Sequence, residues 1–360
     1  MTAHKHRVLI ISLLTACCLV SSGTANAQLK VSTGPTTIGA APNGVPVVNI
    51  AAPNTAGLSN NQFTDYNVTS QGLILNNQNT SKLQVQSQLG GAISANANLG
   101  AGPEANVILN QVVSTNRSTL AGYTEVVGGT ADVIVANPNG ITCSGCGFIN
   151  TPNATLTTGA PVIANGGAGA LTGFNVATGD ILITGQGLDA STTNYIALFA
   201  RSLEIQGQIN AQYLDIVAGP NSINYATKAV TAQAATGTAP TLAIDSSVLG
   251  GMYANTIRLI ATEQGVGVTM LGNASAGAGD FTLTASGKIS LGNQISAQGN
   301  VQVTSADTSI SDSILLTDAT LSSSGNTTLA ATGGSINLTG SSLVSQGALS
   351  LHYVLLNYIC

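Results

Sequence analysis

The sequence predicts an all-β protein folded as a right-handed parallel β-helix, with an N-terminal cap and short hairpins outside the helix. Two observations predict this class. Hydrophobic residues make up 44% of the chain while charged residues are only 6% and aromatic residues 4%, a composition too apolar for a disordered chain. The C-terminal part alternates apolar and polar residues in short segments separated by Gly, Asn, Ser or Ala, which is typical of short β-strands.

A short unit, Gly-x-apolar-x-apolar, recurs in the C-terminal part of the chain. Its copies begin at Gly279, Gly299, Gly325 and Gly347, so they are 20, 26 and 22 residues apart. The segments Asp180–Ile183 and Leu203–Ile205 keep a similar spacing earlier in the chain. A coil of a parallel β-helix buries its inward side only when the next coil stacks on it, and a period near ~20 residues suits three short strands per coil. The period therefore predicts stacked coils, with aliphatic residues inside and Thr, Ser and Gln outside.

The first 70 residues after position 27 are less regular than the rest. They contain Pro35, Pro42, Pro46 and Pro53. The open end of a solenoid exposes unpaired strand edges, which proteins normally cover. This segment is therefore predicted to be a cap on the first coil.

The N-terminus has the pattern of a secretory signal peptide. Lys5, His6 and Arg7 precede a 13-residue apolar run, and Ala25-Asn-Ala27 supplies a small-x-small cleavage site. Cleavage after Ala27 and export to the periplasm are predicted. Leu14–Cys17 also fits a lipoprotein cleavage box, which leaves lipidation of Cys17 as an open alternative. Cleavage after Ala27 removes two of the five cysteines.

The charge of the chain excludes some classes of partner. Removing Lys5 and Arg7 with the leader changes the formal net charge from −5 to −7, and the remaining chain has no basic cluster. Nucleic-acid binding is therefore not expected, since it depends on basic groups that neutralise phosphates. No cofactor is predicted.

Cys143 and Cys146 are three residues apart, and several kinds of site use such a pair. A structural zinc site needs four Cys or His ligands, but the exported chain offers only these two, Cys360 and His352. A redox pair is expected at a helix N-terminus, whereas Asn, Pro, Gly and Thr surround this one. In an oxidising compartment the favoured state is a disulfide that closes a tight loop and shapes it locally.

Catalysis is not predicted, although parallel β-helices include polysaccharide lyases. Such enzymes hold Ca²⁺ with clustered carboxylates and place Arg or Lys nearby as a base. The densest acidic group here is Asp307, Asp312 and Asp318, without a neighbouring Arg or Lys in the sequence. A β-helical carbohydrate-active enzyme and a stand-alone adhesive fragment remain the alternative functions.

Several motifs, in order, resemble the secretion domain of two-partner secretion exoproteins. This family includes filamentous haemagglutinins, haemolysins and contact-dependent growth inhibition proteins. The motifs that carry the resemblance are Asn137–Ile141, Cys143–Thr151, Leu156–Gly159, Val48–Ile50, Gly57–Ser59, Gly72–Asn77, Val107–Asn110 and Glu125-Val126. The resemblance covers about residues 40 to 270. Ile244-Asp245, Leu249–Ala254, Thr262-Glu263 and Gly265–Val268 resemble the haemagglutinin and growth-inhibition branch.

The resemblance implies a route and a partner. The family crosses the inner membrane by the general secretory route and meets an outer-membrane β-barrel transporter that has periplasmic recognition domains. It is then exported to the cell surface, where host or neighbouring cells can carry receptors. The predicted domains are a leader (1–27), a secretion domain with its cap (28–270), further β-helical repeats (271–350) and an irregular tail (351–360), for which truncation is an open alternative.

The family's recognition motifs are Asn-Pro-Asn-Gly-Ile and Asn-Pro-Asn-Leu. The first maps onto Asn137, Pro138, Asn139, Gly140 and Ile141, and the second onto Asn96, Asn98 and Leu99, with Ala97 in place of proline. The resemblance implies that Asn137 and Asn139 present their amides to the transporter while Ile141 anchors the loop on the core. Pro138 and Gly140 also suit an ordinary β-turn. The role of the altered second motif stays open.

Overall fold

The computed structural model describes residues 28–308 and 312–354, which wind into a parallel β-helix with three faces. The first face is a 12-stranded sheet. Its strands are Leu29–Thr33, Leu58–Tyr66, Val107–Val112, Asp132–Ala136, Asn153–Thr157, Tyr195–Ala200, Tyr213–Ala218, Thr256–Ala261, Phe281–Ala285, Val301–Ser305, Thr327–Ala331 and Leu349–His352. The predicted all-β parallel β-helix is confirmed.

A 19-stranded sheet forms the second and third faces. Its strands are Thr37–Ala40, Pro46–Asn49, Leu73–Asn77, Ser118–Leu120, Tyr123–Gly128, Ile141–Cys143, Cys146–Ile149, Asp180–Ile183, Leu188–Ala190, Ser202–Ile205, Ile209–Ala211, Leu242–Ser246, Met252–Ala254, Gly267–Met270, Ala274–Ala276, Ile289–Ala297, Asp312–Ser323, Ser335–Thr339 and Ser342–Ser345. In a typical coil the chain passes from the first face to the second and then to the third. Ile141–Cys143 lies on the second face, for example, and Cys146–Ile149 on the third.

The repeated glycine unit stacks in register. Phe281 pairs with Val301, Val301 with Thr327, and Thr327 with Leu349. The N–H of each glycine in the last three copies of the unit donates to the carbonyl of the glycine one coil earlier, at 2.8 to 2.9 Å. The sequence period is thus the length of one coil.

The predicted cap closes the first coil with antiparallel strands. Leu29–Thr33 pairs antiparallel with Leu58–Tyr66, whose other edge pairs in parallel with Val107–Val112. Thr37–Ala40 pairs antiparallel with Pro46–Asn49. The cap therefore covers a strand edge that would otherwise lack hydrogen-bond partners.

Two smaller sheets lie outside the helix. Ala160–Ile163, Leu171–Val176, Asn221–Asn224 and Val230–Ala232 form a four-stranded antiparallel sheet, and a short 3₁₀ turn, Asn165–Gly167, lies in its first connection. This sheet packs Phe174 and Ile223 on the outward side of the first face, against Ile134, Phe199 and Val217. We call it the covering sheet. Both of its chain insertions leave the helix at the corner between the first and second faces.

The second extra element is a hairpin, Gln84–Ser87 paired with Gly91–Ser94. The buried carboxylate of Glu125 fixes its turn: it accepts hydrogen bonds from Ser87 Oγ at 2.6 Å, Gln88 N at 2.8 Å and Leu89 N at 2.9 Å. Two backbone N–H groups and a hydroxyl thus satisfy a carboxylate that would be expensive to bury alone.

No helix in the described part of the chain has the length and apolarity needed to cross a lipid bilayer. The predicted signal peptide, the alternative lipoprotein box at Cys17 and the cysteine at position 360 lie outside the described residues.

Candidate functional site

Asn137–Gly140 forms a tight turn at the corner between the first and second faces. Gly140 N donates to Asn137 O at 3.0 Å, and Asn139 N donates to Asn137 Oδ1 at 3.0 Å. Gly140 has a φ of +103°, and a Cβ atom there would lie 2.3 Å from Arg117 Nη1. Glycine is required at this position for both its conformation and its lack of a side chain.

The two asparagines of the turn face different ways. Asn137 is fully buried, and its amide donates to Asn116 O at 2.9 Å and Ser118 Oγ at 3.0 Å. Asn139 is exposed, and its amide donates to Ser114 O at 2.7 Å. In the folded chain, burial and hydrogen bonding tie the amide of Asn137 to the preceding coil, so Asn137 does not present this amide to solvent.

Ile141 follows the turn and is fully buried in the core of the β-helix, in the anchoring position expected for it. Its carbonyl accepts a hydrogen bond from Arg117 Nη2 at 3.0 Å. Pro138 is half-buried, and its carbonyl approaches Gly179, where a Cβ atom would lie only 2.5 Å away. Of the motif's side chains, Asn139 and part of Pro138 are thus open to a partner.

An ion pair clamps the turn from the side. Arg117 and Asp180 lie on the coils before and after Gly140, and the guanidinium donates to both carboxylate oxygens at 2.9 and 2.7 Å. Arg117 Nε also donates to Thr142 Oγ1 at 2.8 Å. Three successive coils are joined at this corner, and the planar guanidinium suits such bidentate contacts.

The second motif, Asn96–Leu99, has the same construction. Leu99 N donates to Asn96 O at 3.2 Å, and Asn98 N donates to Asn96 Oδ1 at 2.9 Å. The amide of the buried Asn96 donates to Ile50 O and Asn76 O, both at 2.9 Å. Leu99 is buried in the core, whereas Ala97 is exposed at the position where the family motif has proline.

The Asn98 side chain is less exposed to solvent than that of Asn139. Asn98 is half-buried, and its amide donates to Asn49 O at 3.1 Å and Ile50 O at 3.2 Å. The second motif therefore offers a partner mainly Ala97 and backbone. In both motifs the first asparagine closes the turn and binds an adjacent segment of backbone.

Cys143 and Cys146 are disulfide-bonded across the corner between the second and third faces, with Cα atoms 5.4 Å apart. Both are buried among the core residues. Gly145, between them, has a φ of +88°, as a tight corner requires. The disulfide thus joins two inward-facing side chains, one strand away from the Asn137–Gly140 turn.

Gly147 follows the disulfide and leaves room for the ring of Tyr123, which would lie 2.4 Å from a Cβ atom there. Tyr123 Oη donates to Asp189 Oδ2 at 2.6 Å, one coil beyond the glycine. This hydrogen bond, together with burial, raises the pKa of Tyr123 to about 12. The tyrosine stays protonated at neutral pH and links coils on either side of the disulfide segment.

His, Cys, Asp and Glu side chains are the groups that could hold a metal ion. Within 28–308 and 312–354, no group of three His, Cys, Asp or Glu side chains is close enough to hold a metal ion. Asp307 is buried, Asp318 is exposed, and His352 is exposed on the last strand.

Sequence reasoning missed the Arg117–Asp180 clamp and the loop of residues 113–117 that the two asparagines of the turn hold. The clamp pairs residues 63 positions apart, so only the coil register brings them together. For the covering sheet a signal exists: Tyr195–Ala200 is a nearly continuous apolar strand, the pattern of strands buried on both sides.

A parallel β-helix with an antiparallel cap, a covering sheet and asparagine turns at its corners is the architecture of a secretion domain. The sequence matches the family described as TPS secretion domain over residues 20–291, and the chain belongs to this family. The structure is similar to the crystal structure of the filamentous hemagglutinin secretion domain, with a TM-score of 0.72 and 33% sequence identity, over 91% of this chain and 100% of that chain.

Curated relatives include much longer proteins. The chain is 51% identical over 277 residues to a 16S rRNA endonuclease CdiA from Enterobacter cloacae, an alignment that covers 77% of this chain and 8% of that protein. It is 52% identical over 271 residues to a tRNA nuclease CdiA from Escherichia coli O6:K15:H31, covering 75% of this chain and 8% of the relative. The chain thus spans about 8% of the length of these relatives.

Proposed function

We propose that this secretion domain is the export-targeting part of a longer protein, and that an outer-membrane transporter recognises it in the periplasm. One observation carries the proposal. At both motifs a buried asparagine fixes a tight turn to adjacent backbone, and the next residue or two are left exposed on a rigid corner. Rigid elements that present a few exposed groups lose little conformational entropy on binding.

The residues of the two motifs have different roles in this proposal. Asn139 and Pro138 contact the transporter, and Asn98 and the backbone around Ala97 form a second, weaker contact. Asn137 and Asn96 position the turns, because their amides are already bonded within the chain. Ile141 and Leu99 anchor the turns in the core. The disulfide between Cys143 and Cys146 keeps the strand after the first turn in place.

The test is secretion of single variants from a host that expresses a two-partner transporter able to export the wild-type chain. Asn139→Ala should reduce secretion strongly, because it removes an exposed group of the contact. It should leave the melting temperature nearly unchanged, because it removes only an exposed hydrogen bond to Ser114 O and a long one, 3.4 Å, to Asn137 Oδ1. Asn137→Ala should reduce both the secretion and the melting temperature, because it leaves the buried partners of the Asn137 amide without a donor. The far-ultraviolet circular dichroism of the purified chains separates loss of recognition from loss of fold.

Asn43→Ala is the matched control. Asn43 is an exposed asparagine whose amide donates to Leu89 O at 2.7 Å, the same length as the Asn139 bond, but it lies in the cap. The Asn43→Ala variant should be secreted like the wild type. Normal secretion of Asn139→Ala would remove that residue from the recognition surface.

For the whole protein we propose a contact-dependent inhibition function, since the relatives named above are CdiA nucleases. We place the nuclease activity in parts of those proteins that this chain does not cover, since the chain spans about 8% of their length. We further propose cleavage after Ala27, a boundary near residue 270 between the secretion domain and plain β-helical coils, and surface receptors on neighbouring cells. Coding sequence beyond codon 360 that ends in a nuclease, with killing of neighbouring cells, would support this. Adhesion without killing would favour an adhesin instead.

A further inference from the structure

The turn Asn137–Gly140, which we call the recognition turn, exposes little surface. Asn137, Gly140 and Ile141 are buried, which leaves Asn139 and part of Pro138. A stable protein–protein contact buries roughly 800 Å² on each partner, far more than two side chains supply. The surface that the transporter contacts must therefore extend to neighbouring residues.

The loop of residues 113–117 lies directly beside the turn, on the preceding coil, and the turn holds it in place. Asn137 and Asn139 donate to the carbonyls of Asn116 and Ser114, at 2.9 and 2.7 Å. The loop is fixed from its other side as well, since Ser114 Oγ donates to Thr64 O at 2.6 Å. Both amides of the turn thus bind the backbone of this one loop.

The held loop presents exposed side chains to solvent. Val113 is 47% exposed, although it is apolar, and Thr115 and Asn116 are exposed beside it. Asn116 Nδ2 donates to Asp65 Oδ1 at 2.6 Å, which fixes its direction. A surface groove of about 460 Å³ adjoins the loop and is lined by Asp65, Thr115, Asn116, Arg117 and Thr119 among others. The loop thus presents one exposed apolar side chain, and its Thr115 and Asn116 line a polar groove. Apolar contacts surrounded by polar groups are typical of protein–protein contact surfaces.

We propose that Val113, Thr115 and Asn116 contact the periplasmic region of the transporter together with Asn139. We call these four residues the corner surface. The inference rests on the proposed function, since it takes the transporter as the occupant, and the groups are continuous with the recognition turn. In this arrangement Asn137 is a positioning residue that acts through the loop, whereas Asn139 both holds the loop and contacts the transporter. Val113 takes an apolar side chain of the transporter, and the groove takes polar groups.

The test measures the affinity of the purified chain for the purified periplasmic region of a two-partner transporter that exports the wild type. Val113→Asp and Thr115→Arg should each weaken binding about tenfold or more, because a charge or a bulky group would be forced into the contact. Neither change removes a side-chain hydrogen bond of the structure, so the melting temperature should stay near that of the wild type. Thr115→Arg decides the question if Val113→Asp unfolds.

Val248→Asp is the control, because Val248 is 67% exposed in a loop at a different corner of the helix. It should bind like the wild type. The proposal of the corner surface would be overturned if Thr115→Arg bound with unchanged affinity. It would also be overturned if Val248→Asp lost as much affinity as the loop variants. If Asn139→Ala alone loses binding, the inference fails while the proposed function stands. If the loop variants lose binding and Asn139→Ala does not, the contact through the loop stands and the proposed contact through Asn139 is overturned.

Discussion

The first face of the β-helix has two regions that differ in what covers their outward side. The strands from Val107–Val112 to Tyr213–Ala218 lie under or beside the covering sheet, whereas those from Phe281–Ala285 onward face solvent. One outward column runs through both regions and consists, in register, of Thr157, Phe199, Val217, Ile260, Thr284, Thr304 and Ala330. Phe199 and Val217 are buried, and Thr284 and Thr304 are not.

This difference shows that the apolar–polar pattern of a strand depends on what packs against each of its two sides. Covered strands such as Tyr195–Ala200 are buried at five of six positions, whereas Phe281–Ala285 alternates buried and open positions. Strands buried on both faces are apolar throughout, and strands with one solvated face alternate. The coils share one backbone arrangement, so this contrast reflects the covering sheet.

The largest effect is expected from Phe199→Ala. Phe199 packs on Phe174 of the covering sheet, with ring centroids 6.1 Å apart, and is 1% exposed. Deleting a buried phenylalanine ring costs about 3 to 5 kcal/mol of unfolding free energy. Urea denaturation of the purified chain measures the loss.

Thr304→Ala is the matched change in the region that faces solvent, because Thr304 lies in the same outward column as Phe199. Its side chain points away from the core on a strand without the covering sheet, so a change within about 0.5 kcal/mol is expected. Equal losses from Phe199→Ala and Thr304→Ala would mean that the covering sheet contributes nothing to the first face.

Two ion pairs of the β-helix also differ in their exposure to solvent. Arg201 and Glu263 are 9% and 6% exposed and make two hydrogen bonds at 3.0 and 2.7 Å. Arg117 and Asp180 make a similar pair but are 34% and 50% exposed. Glu263→Gln should cost about 3 kcal/mol of unfolding free energy, because it leaves a buried guanidinium without its counter-charge.

Asp180→Asn is the matched change at the open pair, where solvent screens the charges. It should cost less than about 1 kcal/mol. Arg201 Nη1 also donates to Thr236 O at 2.8 Å, in the second insertion, so Glu263→Gln should loosen that segment first. Protection of its amides from hydrogen exchange measures this, and unchanged protection would contradict the link.

The coil period could be predicted from sequence only where no insertion interrupts it. From Phe281 to Leu349 the register steps equal the spacing of the glycine unit. Between Ala154 and Ile257 the steps are 42, 18 and 43 residues, because both insertions of the covering sheet lie there. The positions of the sheet's strands therefore depend on tertiary contacts, and the sequence predicted only that hairpins outside the helix exist.

For the recognition turn, the residue types predicted the turn and its glycine but not the direction of its side chains. Pro138 and Gly140 fit the turn that forms. Whether Asn137 or Asn139 faces solvent depends on which backbone lies on the preceding coil, and that backbone is residues 114–116. The contact is set by the stacking of coils, which local sequence does not encode.

The smallest effect concerns two acidic residues on neighbouring coils of the open second face, Glu204 and Asp245, which are paired in register. Burial, and then the charge of Glu204, raise the pKa of Asp245 above its ordinary value. A carboxyl whose folded-state pKa is raised binds its proton more tightly in the folded chain, so folding loses stability as the pH rises through that pKa. Repulsion between the paired side chains acts only above that pKa, where Asp245 carries its charge. Glu204→Gln should therefore raise stability at pH 7 by a few tenths of a kcal/mol, the size of a cross-strand charge pair, and have little effect at pH 3, where Asp245 is protonated. The control is Asp245→Asn, alone and combined with Glu204→Gln, because this double-mutant cycle isolates the interaction energy between the two carboxylates. Additive changes in melting temperature at pH 7 would show that the two carboxylates do not interact, and that burial alone raises the pKa of Asp245.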